Sequence, residues 1–113
     1  MIQRIIKFRG WHIFGKEMVY NFSDLWADDY KVMQFTGMLD KNDKKIYEGD
    51  ILTTGHNNFE CIFWKGSFVA NLISSEKKKE QGYLALEILE VIGNIYENPE
   101  LLKGVKEFKE VTK

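Results

Sequence analysis

The stretch Met33–Leu52, M-Q-F-T-G-M-L-D-K-N-D-K-K-I-Y-E-G-D-I-L, sets two apolar runs around one concentrated turn signal, Asp40-Lys41-Asn42-Asp43. A second turn signal, Glu48-Gly49-Asp50, follows at once. Asn and Asp tolerate left-handed backbone and bond their own main chain, so they reverse a chain without glycine. Gly37 and Gly49 serve where the backbone needs positive φ or a close approach. Such a segment folds as a hairpin, with Lys31–Thr36 entering and Ile46-Tyr47 leaving, and then opens a further strand, Ile51-Leu52-Thr53. It is turn chemistry rather than a catalytic cassette.

The length of 113 residues fits a single domain over 1–113, with 103–113 read as a frayed tail. Hydrophobic residues at 44% supply one packed core, and the lone proline argues against a linker-rich chain. Eight Phe, five Tyr and three Trp favour a β-rich domain, because aromatic rings suit a pleated, half-buried surface. The expected fold is mostly β: a small, partly open β-barrel or strongly bent antiparallel sheet with a short C-terminal helix.

Ile2–Phe8 alternates as a strand, with Ile2, Ile6 and Phe8 on one face, Gln3, Lys7 and Arg9 on the other, and Arg4 turned inward. Gly10 reads as a bend, and His12–Tyr20 as a returning strand broken near Gly15 and Lys16. Ser23 and Asp24 cap a helical turn that carries Leu25 and Trp26 inward. Phe59–Ile73, folded at Lys65-Gly66-Ser67, is a hairpin expected to lie in one sheet with the central hairpin. Ser74–Gly82 is a solvated charge run. Tyr83–Tyr96 fits a strand with a bulge near Leu89-Glu90, or a helix through Leu84, Ile88, Val91 and Ile95; its β-branched content favours the strand. Asn98-Pro99-Glu100 then opens a helix whose stripe is Leu101, Val105 and Phe108.

Two blocks carry a family likeness. F-T-G-M-L-D-K-N-D-K-K-I-Y-E-G-D-I, from Phe35, and E-V-I-G-N-I-Y-E-N-P-E-L, from Glu90, resemble the two signatures of the YopX family of bacteriophage and prophage proteins. The positions carrying the resemblance are Phe35, Gly37, Asp40, Asn42, Tyr47, Glu48, Gly49 and Asp50 in the first block. In the second they are Gly93, Asn94, Tyr96 and Pro99. Where the family pattern reads Asn-Gly in the turn, this chain has Asn42-Asp43, which also tolerates left-handed backbone. The resemblance implies a phage-encoded accessory protein in the cytoplasm of a bacterial host, without an established activity.

The residues add little chemistry to this. Net charge is −1, which gives no global pull toward nucleic acid or an anionic membrane. One cysteine and two histidines make neither a disulfide nor a zinc constellation, so no metal or cofactor is expected. No segment has the length of a membrane span or the apolar core of a signal peptide, and the expected compartment is the cytosol. Cys61 inside an apolar strand reads as a core hydrophobe, and Asp24, Asp28 and Asp29 as solvated acids. Glu48 and Asp50, flanking Gly49, are expected to bond neighbouring backbone amides. No Walker A, Rossmann, G-x-S-x-G or H-E-x-x-H pattern occurs, so an enzyme is not expected. The first functional expectation is a protein-interaction or self-association module, homo-oligomeric or paired with a phage or host protein. The alternative is a nucleic-acid-binding barrel that uses Arg4, Lys7, Arg9, Trp11 and Lys16 on the N-terminal strand.

Overall fold

A computed structural model describes residues 5–73, 81–82 and 86–103. Among the described residues nine strands follow in order: β1 Phe8–His12, β2 Glu17–Tyr20, β3 Tyr30–Leu39, β4 Lys45–Tyr47, β5 Asp50–Thr53, β6 Asn58–Trp64, β7 Ser67–Leu72, β8 Gln81–Gly82 and β9 Glu90–Asn94. They form two antiparallel sheets, one ordered β2-β1-β3-β4 and the other β8-β7-β6-β5-β9. The first bends into a half-barrel, and the mostly-β expectation holds. The two hairpins expected to share a sheet do not. β3–β4 ends the first sheet and β6–β7 lies in the second, because the chain changes sheets at Glu48-Gly49.

Local chemistry explains the elements. β3 spends four steps from Phe35 to Leu39 where β4 spends two from Tyr47 to Lys45, so the ladder bulges. Gly37, at φ 88°, sits in that bulge, and the Thr36 hydroxyl donates to Ile46 O at 2.8 Å across it. The β6–β7 hairpin runs in unbroken register from Phe59↔Leu72 to Trp64↔Ser67, as its alternation requires. β6 is internal to its sheet, which suits apolar side chains on both faces.

Elsewhere the reading shifts. Among the described residues the first strand begins at Phe8, with Ile5–Lys7 outside it and Ile2–Arg4 outside the described residues. Gly10 lies within regular pairing, where a Cβ would meet the Phe22 and Tyr30 rings at 3.1 Å. Only Glu17–Tyr20 of the second run is strand, because Lys16 takes φ 58° in the preceding turn. Residues 23–29 contain turns rather than a helix, and Trp26 is 91% exposed instead of buried. Asp24 Oδ1 accepts from Trp26 N at 3.3 Å, too short a reach to carry the ring inward. Leu86–Ile88 is a 3-10 turn, so β9 starts only at Glu90. The bulge in β9 falls at Ile92, between Val91↔Leu52 and Gly93↔Ile51. The C-terminal helix is the 3-10 segment Pro99–Lys103. Arg4, Leu84, Val105, Phe108 and residues 74–80 lie outside the described residues.

The core lies between the sheets. Ile46 from β4 meets Leu52, Cys61 and Ala70 from the second sheet and Leu89 from the turn before β9, all with no exposed surface. Burying a side chain such as Ile46 or Leu52 stabilises the fold by about 1.5–3 kcal/mol. Burial pushes the Cys61 thiol up to about 12, with the Asp50 and Glu48 carboxylates adding to it. A disulfide reagent at pH 8 should leave this thiol unmodified in the folded protein and titrate it fully in guanidinium. Rapid labelling of the native state would mean that the β6 core opens readily.

Candidate functional site

The two sheets meet at an ion pair. Arg9 on β1 and Asp50 at the head of β5 are each 2% exposed, and Arg9 Nη2 donates to Asp50 Oδ1 at 2.8 Å. The same nitrogen donates to Glu48 O at 3.3 Å. Asp50 Oδ2 accepts from Tyr47 N at 2.8 Å, closing the corner around Gly49. The guanidinium lies 4.6 Å from the Tyr47 ring centroid and 5.9 Å from that of Tyr20. Arg9 Nε is buried without a partner among the described residues. Burial raises the Asp50 carboxyl above the ordinary aspartate value, and Arg9 and the Tyr47 N–H offset part of that. Burial likewise raises the Tyr47 hydroxyl, against the pull of Arg9.

Glu48 and Gly49 stitch this corner to β3, to β6 and to the turn after β9. Glu48 N donates to Gln34 O at 2.9 Å, and Glu48 Oε1 accepts from Gln34 N at 3.3 Å. Gly49 N donates to Cys61 O at 2.8 Å, and Gly49 O accepts from Ile95 N at 2.9 Å. Gly49 holds φ 90° with Met33 Sδ 3.0 Å from where a Cβ would stand, so a side chain here is strained and crowded.

Two further polar side chains fix the ends of the signature blocks. Asp40 Oδ1 accepts from Asn42 N at 2.7 Å and Lys44 N at 2.8 Å, and Oδ2 from Val91 N at 2.9 Å. Burial alone would raise its carboxyl; these three N–H donors outweigh it and hold the group below the ordinary value. Asn94 Oδ1 accepts from Tyr96 N at 3.0 Å and Glu97 N at 2.8 Å, while Asn98 Oδ1 accepts from Asn94 N at 3.1 Å. A Cβ on Gly93 would stand 2.5 Å from Asn98 Oδ1, so that position needs glycine for room. Asn98 therefore bonds the end of β9 through its side chain, and only its carbonyl reaches forward, to Leu101 N at 3.0 Å. Phe35 is buried with its ring 5.5 Å from that of Tyr47. Asn42 is exposed in the turn, and Pro99 opens the 3-10 segment.

Two concavities flank this frame. A polar cleft of about 530 Å³ opens over Arg9, Tyr47 and Asp50, with Tyr20 and the adjacent Lys44 and Lys45 on one side and Gly93–Asn94 on the other. A groove of mixed character and about 650 Å³, lined by Phe35, Met38 and Phe68 together with Gln34, Thr36 and Ser67, runs between β3 and the β6–β7 hairpin. Its rim holds Ile5 and Phe63, 58% and 55% exposed, with Leu86 buried at its base.

Of the N-terminal basic residues, Arg4 lies outside the described residues, and Lys7, Arg9 and Lys16 are used differently. Arg9 is buried in its ion pair, and Trp11 stacks on Tyr96 with centroids 5.8 Å apart. Lys7 is half-buried and its carbonyl accepts from Phe35 N at 2.8 Å, while Lys16 is exposed in the turn before β2. The expectation that Arg9 lies on a polar strand face is overturned, because Asp50 offers it a buried partner. Sequence reasoning overlooked that pair and the role of Asn98. A carboxylate heading the apolar run Ile51-Leu52 was the available sign that some cation is buried with it.

The YopX protein family model matches residues 21–103. The crystal structure of protein EF1440 from Enterococcus faecalis is similar, with a TM-score of 0.54 and 27% identity over 88% of this chain and 99% of that one. No curated protein matches the chain.

Two tests follow from the geometry. Arg9→Met strands a buried carboxylate and should cost about 3–5 kcal/mol in urea unfolding, with Asp50→Asn in the same chain recovering part of the loss. Losses of Arg9→Met and Asp50→Asn that simply add in the double variant would mean that the pair is uncoupled. Asp40 is the acid-sensitive group. Its folded pKa is depressed, so its stabilisation is present above its unfolded pKa and is lost as pH falls through the folded one. Asp50 and Glu60, both raised chiefly by burial, have the opposite sign: their contribution fades as pH rises from the unfolded pKa through the folded one. Asp40→Asn should therefore flatten the acid limb of a stability–pH profile. An unchanged limb would remove Asp40 from that role.

Proposed function

The chain belongs to the YopX family, and on that premise we propose that it is a phage- or prophage-encoded accessory protein acting in the bacterial cytoplasm as a non-enzymatic self-association module. The aromatic and aliphatic rim of the groove between β3 and the β6–β7 hairpin carries this reading. Ile5 and Phe63 stand more than half exposed there, the Phe63 and Phe68 rings meet edge to face at 5.0 Å, and Glu87 is the one charged residue in its lining among the described residues. A second copy suits it, because this chain itself presents protruding rings: Trp26 is 91% exposed and Phe14 77%. Burying a Trp or Phe in such a groove removes a large apolar area from water, the main driving force of association.

The reading without chemistry rests on how the reactive side chains are used. Cys61 is buried with its thiol far above neutrality, and Asp40, Asp50 and Glu48 all accept from main-chain N–H groups. Of the side chains meant to carry the nucleic-acid alternative, Arg9 and Trp11 are engaged within the domain by Asp50 and Tyr96.

Light scattering at micromolar concentration should give a mass above the monomer that rises with concentration. Phe63→Glu should return it to monomer, and Trp26→Ala should weaken it with the thermal midpoint unchanged, because the Trp26 ring is 91% exposed. A monomer mass that does not change on concentration would overturn self-association. A phage or host protein would then be the occupant to seek, by pull-down from infected cells with a nuclease control.

A further inference from the structure

The polar cleft over Arg9 shares no lining residue with the groove beside β3, and self-association makes no use of it. Its volume of about 530 Å³ falls within the roughly 300–1,000 Å³ of small-molecule sites. The charges around it do not cancel. Arg9 is matched by Asp50, and Glu97 Oε1 accepts from Asn94 Nδ2 at 2.7 Å. Lys44 and Lys45 make no ion pair among the described residues, and both are exposed. The lining thus carries one cation more than it has anions, Arg9, Lys44 and Lys45 against Asp50 and Glu97, with the Lys44 charge felt by Asp40 and Asp50. Beside it lies a buried guanidinium whose Nε lacks a partner among the described residues. A buried N–H left unpaired in a folded protein calls for an explanation, and a site for an anion is one.

The aromatic groups narrow the ligand. On β4, Ile46 points into the core, so Lys45 and Tyr47, two residues apart, share the opposite face. Tyr47 meets Tyr20 edge to face at 5.6 Å, and Tyr20 is 51% exposed beside the two lysines. One surface therefore offers a ring on which a flat group can stack and two cations that suit a phosphate. We propose that the cleft over Arg9 binds a small organic phosphate with a planar ring, the phosphate held by Lys44 and Lys45 and the ring stacked on Tyr20. The chemical class is that of a nucleoside monophosphate.

The full-length protein, labelled with ¹⁵N, is titrated separately with adenosine monophosphate, adenosine and inorganic phosphate. Adenosine monophosphate should move the amide resonances of Lys45, Tyr47, Gly93 and Asn94, and bind more tightly than either fragment. Lys44→Ala with Lys45→Ala should weaken that binding about tenfold while leaving the thermal midpoint unchanged, and added salt should weaken it in the parent protein. The proposal is overturned if adenosine monophosphate leaves those resonances unmoved at millimolar concentration, or if the double variant binds it equally well. Adenosine binding as tightly would remove the role of the phosphate; inorganic phosphate binding as tightly would remove that of the ring. Either result overturns the assignment.

Discussion

The Arg9–Asp50 ion pair is the contact on which the two-sheet arrangement turns. It joins β1 of one sheet to β5 of the other, 41 residues apart in sequence, at a separation of 2.8 Å. Burying two charges costs free energy that their attraction repays only when the geometry is good and the remaining polar atoms are satisfied. Here the carboxylate gains a second donor in Tyr47 N, and the guanidinium gains Glu48 O and the face of Tyr47, with Nε alone left without a partner among the described residues. Asp50 can reach both Arg9 and Tyr47 N because Gly49 turns the chain sharply at φ 90°. Replacing either charge leaves the other buried alone, so the pair acts as a registry device: only one juxtaposition of the sheets neutralises both.

The signature positions act as a polar frame around that pair. Asp40 closes the hairpin turn through Asn42 and Lys44 and then reaches Val91, 51 residues on, tying the first block to the second. Asn94 and Asn98 bond each other's main chain or close neighbours at the end of β9, and Gly93 leaves the space they need. These side chains satisfy backbone groups where strands end, the positions at which a small sheet protein otherwise leaves N–H groups unpaired.

Much of this was legible in the sequence, and what was not has a common cause. The β6–β7 hairpin follows from alternation and a Lys65-Gly66 turn, and the central hairpin from Asp40–Asp43 and Gly49, because these signals act over a few residues. The inner face of β1 was misread because alternation assigns charge to solvent; only a distant carboxylate makes Arg9 a buried residue. Trp26 was misread in the reverse sense, since hydrophobicity argues for burial and no neighbouring surface covers it. The assignment of hairpins to one sheet failed at Gly49, where a local turn signal does not say which strand the next one will join. The cleft was equally hidden: its walls come from β1, β2, β4 and β9, and only the folded chain brings Tyr20 beside Lys45.

Because the frame consumes its own polar groups, the side chains left free to meet another molecule are those outside it. Phe63 and Trp64 at the tip of the β6–β7 hairpin, Trp26 in the turn before β3, and Lys44 and Lys45 beside the Asp40 turn are all exposed, and among the described residues none of their side chains bonds a main-chain group. Their placement still depends on the frame. Lys45 faces outward because Ile46 is anchored in the core, and Tyr47 backs the cleft because Arg9 and Asp50 hold its ring and its amide. The ion pair therefore positions a surface it does not itself present: loss of Asp50 would loosen the corner that sets the register of Lys45 and Tyr47, although neither lysine touches it. Recognition by this domain is thus coupled to its stability through β4, the three-residue strand whose two faces belong to the core and to the cleft.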